Sequence, residues 1–125
     1  MGLDQYAMCC DPKLADKAVD FKVPSEAVQE VHYWRKHPNL HGWMEHLYRK
    51  KGGADENFNC STLLLTLEDL DNLEKAIKGK DLPHTEGFFF GFSIVDERVE
   101  DDLEFIKKAR QAIEEGKVVF YDSWW

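Results

Sequence analysis

His37, His41 and Glu45 recur at intervals of four residues. On a continuous helix that spacing sets two imidazoles and a carboxylate on one face. Zinc and iron take such a ligand set, and a His–carboxylate pair is also equipment for acid–base catalysis. Two features weigh against both readings. Pro38 follows His37, and the residue before a proline is turned away from the helical region, so the row is interrupted at its first member. The His-Glu-x-x-His pattern of zinc peptidases is missing. The expectation is therefore no catalytic residue, no metal and no cofactor, with His37, His41 and Glu45 as the alternative metal set.

Residues 32–51 hold four of the five histidines and two of the four tryptophans, which makes this stretch the first place to look for binding. With the aromatic residues further along, it gives a candidate ligand or partner surface of His32, Trp34, Arg35, His37, His41, Trp43, Phe88, Phe90, Trp124 and Trp125. Aromatic rings dominate core burial, so most of them are expected inside, and an exposed subset would mark a contact surface. Trp124 and Trp125 are expected to dock onto the domain. Nucleophile signatures are lacking: there is no Gly-x-Ser-x-Gly, and Cys60 lies in an apolar run and reads as an inert core thiol. Phosphate loops of the Gly-x-x-x-x-Gly-Lys or Gly-x-Gly-x-x-Gly type are lacking too. The adjacent Cys9-Cys10 reads as an incidental exposed pair, without ligands nearby at metal spacing.

A chain of 125 residues is one domain by length. Its 43% apolar share is ample for a core, although 32% of the residues are charged. The net charge is −8, and most of it falls in the second half: residues 61–125 carry 8 basic and 15 acidic side chains. That half repels phosphate backbones, so nucleic acid is not an expected partner. Three cysteines do not make a disulfide framework, and no apolar run approaches a membrane span. The expectation is a soluble cytoplasmic protein with no membrane contact.

Positioning these groups requires elements, and the pattern supplies them. Residues 1–24 read as a partly ordered N-terminal extension, and residues 25–125 as a single globular domain. Ser25 is placed to cap a helix running to His37 through Val28, Val31 and Trp34. Pro38 opens a second helix, with Leu40, Trp43, Met44, Leu47 and Tyr48 as its apolar stripe and Gly52-Gly53 as its stop. Residues 60–66 read as a buried strand. Thr66 and Asp69 form a capping box for a helix that ends at Gly79. Acidic residues 96–104 suit a helix N-terminus rather than a calcium loop, and that helix runs on through Ile106 and Ala109 to Gly116. A strand from Val118 pairs with residues 60–66. Phe88–Phe92 is either a short strand or an aromatic turn. The expected fold is α+β: about four helices with a small two- to three-stranded sheet. A helical domain with one hairpin is the runner-up.

Several stretches occur together in a recognisable order: residues 32–37 (HYWRKH), 58–60 (FNC), 65–70 (LTLEDL), 82–83 with 87–91 (LP, GFFFG), 102–109 (DLEFIKKA), and the terminal Ser123-Trp124-Trp125. Over residues 30–125 the chain resembles a family of small uncharacterised proteins encoded by tailed bacteriophages and some bacteria. Members are sometimes labelled phosphoglycerate kinase. That label does not suit a one-domain chain lacking the kinase's nucleotide-binding glycines. Residues 1–24 extend beyond the family's usual start, and the resemblance implies no activity or site residue. The expected function is a non-enzymatic protein-interaction module, with another protein as partner. The alternatives are a small-molecule or metal-binding module at the His/Trp-rich corner, and an enzyme of unrecognised type using a His–carboxylate pair.

Overall fold

The computed structural model describes residues 3–15, 17–35, 37–79, 82 and 99–124. Four strands form one antiparallel sheet: β1 (Asp4–Cys10), β2 (Gln29–Arg35), β3 (Leu63–Leu65) and β4 (Val118–Trp124), in the spatial order β2-β1-β4-β3. Three α-helices among the described residues, α1 (Pro38–Lys50), α2 (Leu67–Lys78) and α3 (Val99–Glu114), join one face of the sheet in a common core. The class is α+β, as expected. The sheet has a strand more than expected, and the described residues contain three helices rather than four.

Two segments account for the difference. The expected helix from Ser25 to His37 is instead a short 3₁₀ turn, Ser25–Ala27, followed by β2. Along β2 the side chains of His32 and Trp34 turn inward, while Tyr33 and Arg35 turn outward. That is the period of two that a strand imposes. An irregularity where Ala7 faces His32 but Met8 faces Glu30 leaves Val31 extra, as in a β-bulge. The expected N-terminal arm contains β1, which is hydrogen-bonded on both sides, to β2 and to β4. Its inward residues, Gln5, Ala7 and Cys9, are small or polar, so little apolar signal marks it.

The register lays out the core in rows. His32, Ala7, Tyr121 and Leu63 lie side by side across the four strands, facing the helices. Trp34, Gln5 and Ser123 form the next row. Leu40, Met44 and Tyr48 of α1, Leu70, Leu73 and Ile77 of α2, and Phe105, Ile106 and Ala109 of α3 close over them. The stripes of α1 and α2 match the sequence pattern; on α3 Ile106 and Ala109 are buried as expected, but beside Asp102, Phe105 and Ala112, with Val99, Leu103 and Ile113 only partly buried. The capping box is present. Thr66 Oγ1 accepts from the Asp69 amide, and the Asp69 carboxylate accepts from the Thr66 amide. After α1 the chain turns at Gly52 (φ +95°) and passes so close to Tyr48 that a Cβ on Gly53 would lie 2.3 Å from its ring.

Among the described residues, the opposite face is covered over only part of its width. Phe21, Val23, Val28 and Leu14 pack on Met8, Cys10, Leu64, Phe120 and Val118, making a second, smaller apolar cluster. Thr62 fastens this cover: its hydroxyl accepts from the Phe21 amide at 2.9 Å and donates to the Phe21 carbonyl at 2.7 Å. Cys9 and Cys10 are buried rather than exposed; one belongs to the main core and the other to the smaller cluster. Cys60 is exposed with φ +59°, outside the core and not in the strand. Phe88–Phe92 and Trp125 lie outside the described residues.

Candidate functional site

The histidines chosen from the sequence are brought together, but inside the protein. Asp102 sits in the first turn of α3, where the helix dipole favours a carboxylate, and is only 2% exposed. Its Oδ1 accepts from the Trp34 indole N–H at 3.0 Å, and its Oδ2 lies 2.8 Å from His37 Nε2. One residue earlier, the exposed Asp101 lies 3.0 Å from Nε2 of the nearly buried His32. Gln5 completes the frame from β1: its amide donates to the His37 carbonyl, and its side-chain oxygen accepts from the His37 backbone N–H. The group therefore ties α3, β2 and the start of α1 into one hydrogen-bonded unit.

A second buried polar pair lies nearby. The Tyr121 hydroxyl is 2.7 Å from His41 Nδ1. His41 is 1% exposed. Burial lowers its pKa to about 4 and pushes the Tyr121 phenol far above its ordinary range, so both are neutral near pH 7. Phe58 stacks on Tyr121 at 5.9 Å between ring centres and lies 4.9 Å from His41. These imidazoles and carboxylates have partners within the fold, and they hold elements together.

His37 precedes the first turn of α1, while His41 points to Tyr121 and the half-buried Glu45 pairs with Arg49. They form no ligand set, and no group of three His, Cys, Asp or Glu among the described residues is placed to hold a metal ion. Trp34 is core, Trp43 is half-buried against it, and Arg35 is exposed on β2. Phe88, Phe90 and Trp125 lie outside the described residues. Trp124 does not dock as expected: its side chain, on the last residue of β4, is 65% exposed.

The sheet face away from the helices carries what sequence reasoning did not assemble. Tyr33, Tyr6 and Asp122 form one row across β2, β1 and β4, and Arg35, Asp4 and Trp124 form the next. Tyr33 is 42% exposed, its ring stands 5.2 Å from that of Tyr6, and its hydroxyl donates to Asp4 at 2.5 Å. Beside these rows opens a cavity of about 340 Å³, floored by Met8 and Phe120 and walled by Phe21, Val23, Val28, Cys60 and Thr62. Asp122 lines it and is half-buried. Burial pushes its carboxyl above the usual range, against a weaker opposing effect from the Ser123 amide, which donates to it at 2.8 Å. The sequence signal for this face is the alternation of Tyr6 with Met8 and of Phe120 with Asp122 and Trp124. It becomes legible only once β1 is known to be a strand.

Among the described residues no helix is long and apolar enough to cross a membrane. Comparison with protein-family models, with curated proteins and with solved structures gives no match.

Proposed function

We propose that the protein is a non-enzymatic interaction module that docks a partner protein on the open face of its sheet. The observation behind this reading is the exposure of Trp124 and Tyr33 on the part of that face that the cover, among the described residues, does not reach. Leaving so much of the Trp124 ring in water contributes little to the isolated fold. At a contact surface the same rings are the residues that contribute most to binding. The imidazoles and carboxylates suited to acid–base work are instead paired in the interior. The buried thiols of Cys9 and Cys10 suit a reducing compartment, and we propose the cytoplasm.

Affinity capture with the wild-type protein and with a Tyr33→Ala/Trp124→Ala double variant tests the reading. Both side chains are largely outside the core, so the two proteins should melt within a few degrees of one another. The expected result is a partner protein retained by the wild type and lost by the variant. Identical sets of captured proteins would overturn the proposal.

A further inference from the structure

We infer that the cavity beside Asp122 seats a lysine or arginine side chain of the partner, with its apolar stem on Met8 and Phe120 and its cationic head on the carboxylate. The inference rests on the open sheet face being the docking surface and names what that surface recognises.

Three observations converge on a cation. The first is the shape and lining of the cavity. About 340 Å³ is near the lower end of ligand-holding cavities and has room for one long side chain. An apolar floor with one carboxylate at its side matches a long aliphatic stem that ends in a charge. The second is the state of Asp122. It is half-buried, its hydrogen bond comes from the Ser123 amide, and it forms no ion pair with a cation among the described residues. Lys22 also borders the cavity but is solvent-exposed and makes no ion pair with Asp122. A carboxylate removed from water without a counter-charge is costly in the free protein, and a cation brought by a partner relieves that cost. The third is the neighbourhood. Tyr6 lies directly across from Asp122 on the neighbouring strand, with Tyr33 beyond it, so aromatic side chains share the face with the carboxylate. Asp4 adds a further carboxylate, and the chain as a whole carries −8. A neutral group would leave the Asp122 carboxylate without a counter-charge; the exposed Lys22 at the border does not supply one.

A partner side chain is favoured over a free amine because Asp122, at the side of the cavity, shares its sheet face with the exposed Tyr33 and Trp124 rings. A polypeptide can cover those rings while one of its residues enters the cavity.

The test is a nuclear magnetic resonance titration of the ¹⁵N-labelled protein with four probes: the Nα-acetyl methylamides of lysine, arginine and norleucine, and n-butylammonium. The lysine and arginine probes should shift the amides of Met8, Val28 and Asp122 saturably. They should bind at least about fivefold more tightly than the norleucine probe, the scale of a half-exposed ion pair. Asp122→Asn should remove that difference with the rest of the spectrum unchanged. Capping the exposed Cys60 thiol with a benzyl methanethiosulfonate, which fills the cavity without altering Asp122, should abolish binding of both cationic probes. If lysine binds no better than norleucine, or Asp122→Asn leaves the preference intact, the inference fails. The docking face itself would still stand or fall on the capture experiment. Binding of n-butylammonium with no binding of the amino-acid probes would assign the cavity to a small amine and overturn the partner side chain.

Discussion

His41 shows what burial does to a single side chain. It is enclosed by Phe58 and Tyr121, and loss of hydration lowers its pKa from 6.5 to about 4. The folded state therefore binds a proton less readily than the unfolded chain. The stability that depends on neutral His41 is complete above pH 6.5 and is lost as the pH falls towards 4, an effect on the order of 3 kcal/mol. His41→Gln keeps an acceptor for the Tyr121 hydroxyl and removes the titration. Denaturant unfolding at pH 7 and pH 4 should show the wild type losing more stability than the variant over that interval. Equal losses would show that His41 does not carry the acid sensitivity. The sequence identified His32, His37 and His41 as residues with chemistry to offer, and they are the polar centres of the fold. It could not show that they are enclosed, because the partners of His32 and His37 on α3 lie 69 and 65 residues further along the chain, and the partner of His41 lies 80 residues away.

At the level of elements, α3 is tied to β2 by two carboxylates, the exposed Asp101 on His32 and the buried Asp102 on Trp34, and only the second is enclosed in the core. Asp102→Ala would leave the Trp34 indole N–H and the His37 ring without their acceptor inside the core, a loss of about 3–5 kcal/mol of the kind seen when a buried pair is broken. Asp102→Asn keeps an oxygen for one of them and should cost less. Chemical denaturation of both variants checks the order; an alanine variant as stable as wild type would mean that the Asp102 bonds do not hold α3 in place. The helices themselves were legible because each has a stripe at period 3.6 and a terminator: Pro38 and Gly52 for α1, Thr66 and Gly79 for α2, Gly116 for α3. The strands β3 and β4 were legible as apolar runs. β2 misled because Val28, Val31 and Trp34 are spaced by three, and the extra residue at Val31 disturbs the alternation that would have marked a strand. β1 was missed because its inward positions are Gln5, Ala7 and Cys9. Gln5 is buried for its hydrogen bonds to His37, a reason that propensity and periodicity do not register.

Taken as a whole, the molecule has two cores of unequal size on the two faces of one sheet, and its stability should be unequal in the same way. The larger core gathers all three helices, while the smaller holds down the cover formed around Phe21, Val23 and Val28. That cover is fastened to the sheet side by the Thr62 hydroxyl and by two backbone bonds, Asp20 N–H to the Thr62 carbonyl and Leu64 N–H to the Ala18 carbonyl. With little apolar area beneath it, the cover should open locally at less cost than global unfolding. Thr62→Val keeps the volume but removes both side-chain bonds to Phe21, each worth about 1 kcal/mol net. Amide exchange at Asp20, Phe21 and Leu64 should then accelerate by roughly tenfold or more, while amides of α1 and β4 slow or quicken only with global stability. Equal acceleration across Leu40, Met44 and Tyr121 would show that cover and core unfold as one unit. The walls of the cavity belong to this cover, so a ligand seated against Asp122 should reverse the effect, slowing exchange at Phe21 in the wild type before it alters the main core.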